Sequence, residues 1–142
     1  MLLALLAAAS VPTGQTFPCT PTAVYDGDGP IWCREGAKIR LQGIAAREMD
    51  GSCRPGHPCP SASPLQARDA LVRLLGGPKG ELRTKHIIVR APTMTCTSHG
   101  NARGERTAAN CTLPGVGDLS CAMVRTGTVA RWTRYGGDKL CR

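Results

Sequence analysis

Two carboxylates sit close together in a turn-like stretch of a basic chain. In YDGDGPIW, residues 25–32, Asp26 and Asp28 alternate with Gly27 and Gly29 ahead of Pro30. Asp-Gly pairs make hairpin turns, and two such acids also supply the hard oxygen ligands that a cation like Ca²⁺ selects. The residues alone leave both readings open. Three more charged groups stand out: Arg40 within KIRL, Glu48 shortly after it, and Arg106 ahead of TAANCTL. Acids that hold a cation or draw a proton from water, combined with guanidinium groups that grip phosphate oxygens, are a set suited to cleaving a phosphate ester.

The elements that must position these groups follow from the pattern. PTAVY and IWCRE flank the acidic turn, and KIRLQGI comes after Glu35-Gly36, which predicts three short strands in a meander. In the third strand Ile39 and Leu41 face one side while Lys38, Arg40 and Gln42 face the other. A loop rich in Gly, Pro, Ser and Cys runs over residues 45–63. In SPLQARDALVRLLGG, Ser63 is the expected N-cap, Pro64 opens the first turn and Gln66 completes a capping box. Ala67, Ala70, Leu71, Leu74 and Leu75 form one buried stripe, and Gly76-Gly77-Pro78 ends the helix.

HIIVRA and RTAANCTL read as a fourth and a fifth strand, and GDLSCAMVRTG as a shorter helix capped by Asp118 and stopped at Gly127. Five strands with a helix between the third and fourth predict a β-rich α+β fold. The order is compatible with a five-stranded OB-type barrel carrying two to three helices. Such barrels commonly bind oligonucleotides, but a fold does not by itself assign a function.

The chain has 142 residues, enough for one domain with a core but not for two. With 42% hydrophobic residues and only two Trp, two Tyr and one Phe, that core must be largely aliphatic. A net charge of +8 suits a polyanionic partner, nucleic acid or an anionic surface. MLLALLAAAS is apolar, ends in the small-residue spacing of a signal-peptidase site at Ala7 and Ala9, and is too short to span a bilayer as a helix. Residues 1–16 are therefore expected to be a leader, with the domain over residues 17–142 and the protein secreted or periplasmic.

Eight cysteines follow: Cys19, Cys33, Cys53, Cys59, Cys96, Cys111, Cys121 and Cys141. Export and an even count favour disulfides. Zinc is disfavoured because no Cys-x-x-Cys pair occurs and His57, His86 and His99 are scattered, His57 and His99 in polar stretches read as exposed loops. Sequence leaves the connectivity open. Cys53–Cys59 would staple CRPGHPC, Cys96–Cys111 would tie neighbouring strands, Cys121–Cys141 would pin the tail to a helix, and Cys19–Cys33 would remain.

VYDGDG, KIRLQGIAARE, GERTAANC and DLSCAMVRTGTVARWTRY, in this order and with the intervening helix, resemble the staphylococcal-nuclease-like (thermonuclease) family across residues 22–135. The resemblance implies an exported, calcium-dependent phosphodiesterase that cuts DNA and RNA, acting as a monomer without an obligate protein partner. It implies Asp28 as a metal ligand with Asp26 nearby, and Glu48 as the carboxylate that orients or deprotonates the attacking water. Arg40 and Arg106 correspond to its phosphate clamp, and Tyr135 to an aromatic that packs on the nucleotide.

The chain also departs from that pattern. In GIAARE, residues 43–48, Ala45 stands where the family carries a second metal-binding aspartate, and Arg47 where proline is usual. Glu105 replaces the glycine before the second arginine, and Gly104 stands where a tyrosine is common. An alanine methyl ligates nothing, so calcium is expected to bind more weakly, with Asp50 the nearest replacement. Arg47 adds a positive charge expected to depress the basicity of Glu48 or to pair with it outright. Two alternatives accompany the enzyme: a catalytically impaired module that binds nucleic acid or phosphate, and a structural protein of the cell envelope.

Overall fold

The computed structural model describes residues 9–142, so Ala7 and the first half of the expected leader lie outside the described residues. The chain begins with β1 (Thr16–Cys19), β2 (Pro21–Asp26), β3 (Gly29–Cys33), β4 (Lys38–Leu41) and a short β5 (Ile44–Ala45). Helix α1 (Pro64–Leu74) follows the cysteine loop. Then come β6 (Gly80–Glu81), β7 (Ile87–Ile88), β8 (Met94–Asn101), β9 (Thr107–Leu113) and β10 (Gly117–Asp118). Helix α2 (Leu119–Thr126), β11 (Ala130–Arg131) and two 3₁₀ turns, Thr133–Tyr135 and Gly137–Lys139, complete it.

The fold is β-rich α+β, with two α-helices on a large sheet. Both helices start and stop where the sequence signals stand. Ser63 Oγ accepts from Gln66 N while Gln66 Oε1 accepts from Ser63 N, and Asp118 Oδ1 accepts from Cys121 N. Gly127 ends α2 at a φ of 74°, in the left-handed region.

Followed through its ladder, the sheet runs β1-β8-β9-β4-β3-β2-β7-β6, with β10 on β9 and β5-β11 as a separate pair. This is an open path rather than the closed five-strand ring expected. The fourth strand is also corrected. HIIVRA contributes only the two residues of β7, and the longest strand is MTCTSHGN, which no apolar alternation announced. Its inward positions are Met94, Cys96 and Ser98, a disulfide half and a hydroxyl that stand in for aliphatic side chains.

Ile31, Ile39, Leu41, Ile44, Leu71, Leu75, Met94, Leu119 and Met123 are fully buried in one continuous core between sheet and helices. Burying each such side chain contributes roughly 1.5–3 kcal/mol. Four disulfides add covalent ties: Cys19–Cys33, Cys53–Cys59, Cys96–Cys111 and Cys121–Cys141. The first joins the end of β1 to the end of β3, the third crosses β8 to β9, and the last ties α2 to the C-terminal tail. Residues assigned to the leader by sequence already engage the sheet: Val11 N donates to Thr107 Oγ1 and Gly14 N to the Ser98 carbonyl.

The acidic turn is wedged against helix α1. A Cβ added to Gly27 would lie 2.4 Å from the Ala67 Cβ and 3.0 Å from the Ala67 carbonyl carbon. Gly29, at a φ of +114°, faces the Ile39 carbonyl with a similar lack of room. Space for packing, and not only turn geometry, selects the glycines of DGDG. Gly27→Ala should therefore cost about 1–3 kcal/mol in urea denaturation through overpacking; an unchanged midpoint would show that the turn does not bear on α1.

Candidate phosphate-binding cleft

The β4–β9 pairing is parallel and sets Arg40 opposite Ala108, so the arginine side of β4 lies beside the start of β9. The β2–β3 hairpin brings its acidic tip to the same end, since β3 pairs with β4 through Ile31 and Ile39. A cleft of about 330 Å³ opens there. Asp26, Asp28, Arg40, Glu48, Arg106 and Tyr135 all line it.

Arg40 is the hub. Its Nη2 donates to Asp28 Oδ2 at 3.2 Å, and its Nη1 donates to the Leu41 and Ile44 carbonyls at 3.1 and 3.2 Å. The Asp28 Oδ2 also accepts from Ala46 N at 3.1 Å. The guanidinium carbon sits 5.2 Å from the Trp132 ring centroid. Both partners of the ion pair are largely shielded, with side-chain exposures of 17% and 15%. Removing one member of a shielded pair strands the other charge, so Arg40→Ala loses stability as well as any grip on a ligand.

Asp26 is buried, and its Oδ1 accepts the Asp28 amide at 3.1 Å. Burial, and then the hydrogen bond and the negative charge of Asp28, push its carboxyl up to about 10. Asp26 is thus a neutral acid at neutral pH. Glu48 sits at the more open side, where Oε1 meets Arg54 Nε at 3.2 Å with both side chains more than a third exposed. Such a pair is worth at most about 1 kcal/mol and can exchange partners.

Two expectations about the neighbourhood change, and the place of Ala45 becomes clear. Arg47 does not pair with Glu48; it donates to the Pro60 and Gly51 carbonyls and braces the cysteine loop. Asp50 does not replace the missing ligand, because its Oδ1 accepts from both N and Oγ of Ser52 in an exposed turn outside the cleft. Ala45 is fully buried and pairs with Ala130, so its methyl faces the core.

Several lining residues escaped the sequence reading. Arg54 and His57 come from the loop closed by Cys53–Cys59, and His57 stacks on Trp132 at 4.3 Å. His99, read as a loop residue, is on β8, where its Nε2 bonds to Asn110 Oδ1 at 2.7 Å. Arg103 lines the cleft from the β8–β9 turn with a φ of 98°. The available signals were the short disulfide around Arg54 and the rarity of tryptophan in the chain.

Compared with models of protein families, with characterised proteins and with solved structures, the chain gave no match.

The Asp26 proton makes a measurable claim. In the unfolded chain this carboxyl titrates near 3.8 and in the fold near 10. Between those values the folded state keeps a proton that the unfolded state has lost, so its contribution to stability falls as pH rises. Asp26→Asn keeps the neutral shape and removes the ionisation. Its thermal midpoint should decline less than the parent's between about pH 5 and pH 9. Parallel declines would mean that Asp26 is ionised in the folded protein.

Proposed function

We propose that this chain is an exported phosphodiesterase of the staphylococcal-nuclease-like type, acting on DNA or RNA. The observation that supports it is the convergence of Asp28, Arg40, Glu48 and Arg106, distant in sequence, on the one cleft that Tyr135 also lines. The disulfides fit an oxidising compartment. Among the described residues no helix is long and apolar enough to cross a membrane.

The finer fold assignment, an OB-type barrel, belongs to the same proposal. β1, at one end of the ladder, is continuous in the chain with β2 near the other, since only Thr20 separates them. The β1–β8 and β2–β7 pairings share one antiparallel register apart from a two-residue shift. Read as one bent strand facing another, they close the ring through backbone rather than through a continuous ladder.

Hydrolysis by this cleft requires an anion clamp, an oriented water and compensation of the charge that builds on phosphorus. Arg106, from the start of β9, and the Arg40 guanidinium supply the clamp, and donors preset for the transition state are worth about 10²- to 10³-fold each. Glu48 orients the attacking water or takes its proton once Arg54 turns from it to a phosphate oxygen of the substrate. Tyr135, exposed and in edge-to-face contact with Trp132 at 4.8 Å, presents a ring face for a base.

For a cation, the donor chemistry is hard oxygen from Asp26 and Asp28, and the raised Asp26 carboxyl marks a place where added positive charge would be favourable. These residues fit a divalent ion held by two carboxylates and water. Among the described residues there is no cluster of three or more His, Cys, Asp or Glu for a fuller shell. Calcium is proposed, at the weak end of its affinities. Once bound it would polarise a phosphoryl oxygen. Binding must displace the Asp26 proton, so it strengthens with pH.

A second reading keeps the arginines and gives up turnover. It is favoured by the buried Ala45 and by the Glu48–Arg54 pair. Oxidised protein, incubated with labelled single-stranded DNA and RNA with calcium and then with chelator, separates the two. The enzyme should cut in a chelator-sensitive way, with Arg106→Ala and Glu48→Gln each about 10²-fold slower or worse and normally folded. Binding that weakens with salt, without cleavage at any pH or with any divalent ion, would leave only the module.

A further inference from the structure

We propose that the cleft is the first stretch of a longer groove for a single nucleic-acid strand, with the disulfide-anchored C-terminal tail forming the second. This rests on the reading above and names the substrate it implies, a polynucleotide rather than a small phosphodiester. Beyond Tyr135 lies a second trough of about 630 Å³. The two are contiguous, because Gln42, His99 and Tyr135 line both.

The second trough is cationic. Arg134, Lys139 and Arg142 line it. The acid in its wall, Asp118, is already engaged, with Oδ1 on the amide of Cys121 and Oδ2 on Asn110 Nδ2. At the junction Tyr135 is 43% exposed, and the Arg134 guanidinium carbon lies 5.5 Å from its ring centroid. Basic walls interrupted by an open aromatic face are the pattern that tracks phosphates and stacks bases along a single strand.

The tail is built to hold those cations in place. Gln42 Nε2 donates to the Tyr135 carbonyl at 3.0 Å, and Arg131 Nη1 donates to the Gly137 and Leu140 carbonyls at 2.7 and 3.0 Å. Gly137 packs so tightly that a Cβ there would lie 2.5 Å from both the Gly43 oxygen and the Trp132 nitrogen. Cys141 is bonded to Cys121 on α2. Ordering this segment in the free protein removes an entropy cost from strand binding.

The test is fluorescence anisotropy on the full oxidised chain in chelator, comparing a dinucleotide with a single strand of about ten nucleotides. The parent should bind the longer strand at least about tenfold more tightly. Arg134→Glu/Lys139→Glu should lose that advantage and lower the salt slope for the long strand by about 1.4, two phosphate contacts' worth, with the dinucleotide unaffected. Cys121→Ser/Cys141→Ser, which keeps every charge and frees the tail, should weaken only the long strand. Equal affinity for both lengths, or a charge-reversed variant that keeps its long-strand affinity, overturns the proposal. So does equal competition by a sulfated polysaccharide, which would make the trough a general polyanion surface. Long-strand binding through the tail without cleavage would instead sink the enzyme reading and leave the groove standing. Cleavage indifferent to strand length would do the reverse.

Discussion

The contact between Arg40 and Asp28 locks side chains of segments that the β2–β3–β4 ladder brings to one end of the sheet. The aspartate belongs to the β2–β3 hairpin and the arginine to β4, and the backbone groups they bind run from Leu41 at the end of β4 through Ile44 in β5 to Ala46 just after it. Each hydrogen bond in the cluster satisfies a polar group that the strand ladders leave over. A charge-assisted pair in a shielded position strengthens as water leaves. The end of the sheet that carries the cleft is therefore fixed by a polar joint, whereas the opposite side of β4 is fixed by Ile39 and Leu41 in the core.

Charge compensation inside the cleft is nearly complete for the acids and incomplete for the bases. Asp28 has Arg40, Glu48 has Arg54, and Asp26 has a proton. Arg103 and Arg106 remain, with no acidic partner within salt-bridge distance among the described residues. A cleft that holds three acids thus presents a positive field to an approaching anion. The overall charge of +8 reinforces it at long range.

The sequence made some of this legible and concealed the rest for identifiable reasons. Both helices could be placed because their caps are local signals: Ser63 with Gln66, Asp118, and Gly127. β2, β3 and β4 could be placed because short apolar runs flank tight turns, whereas β1, at the edge of the expected leader, was not read as a strand. β8 could not be placed, since its inward side is a methionine, a cysteine and a serine, and periodicity counts none of the last two as core. Ladder closure depends on pairing between distant segments, which no local pattern encodes. In the cleft, Asp26, Asp28, Arg40, Glu48 and Arg106 were found from motif order. Arg54, His57 and Trp132 were missed because they reach the site through a disulfide loop and a tail whose paths are set by tertiary packing. Arg47 went the other way: its neighbour in sequence is Glu48, but its guanidinium finds carbonyls across the loop.

The wedge between Gly27 and Ala67 reaches further than one turn. A glycine at one position and an alanine at the other leave no slack for even a methyl group, so neither site can enlarge unless its counterpart shrinks or the helix shifts. The cleft-side hairpin and the first helix are thereby bound into a single hereditary unit. In any lineage descended from this chain, residues 27 and 67 should drift together or not at all.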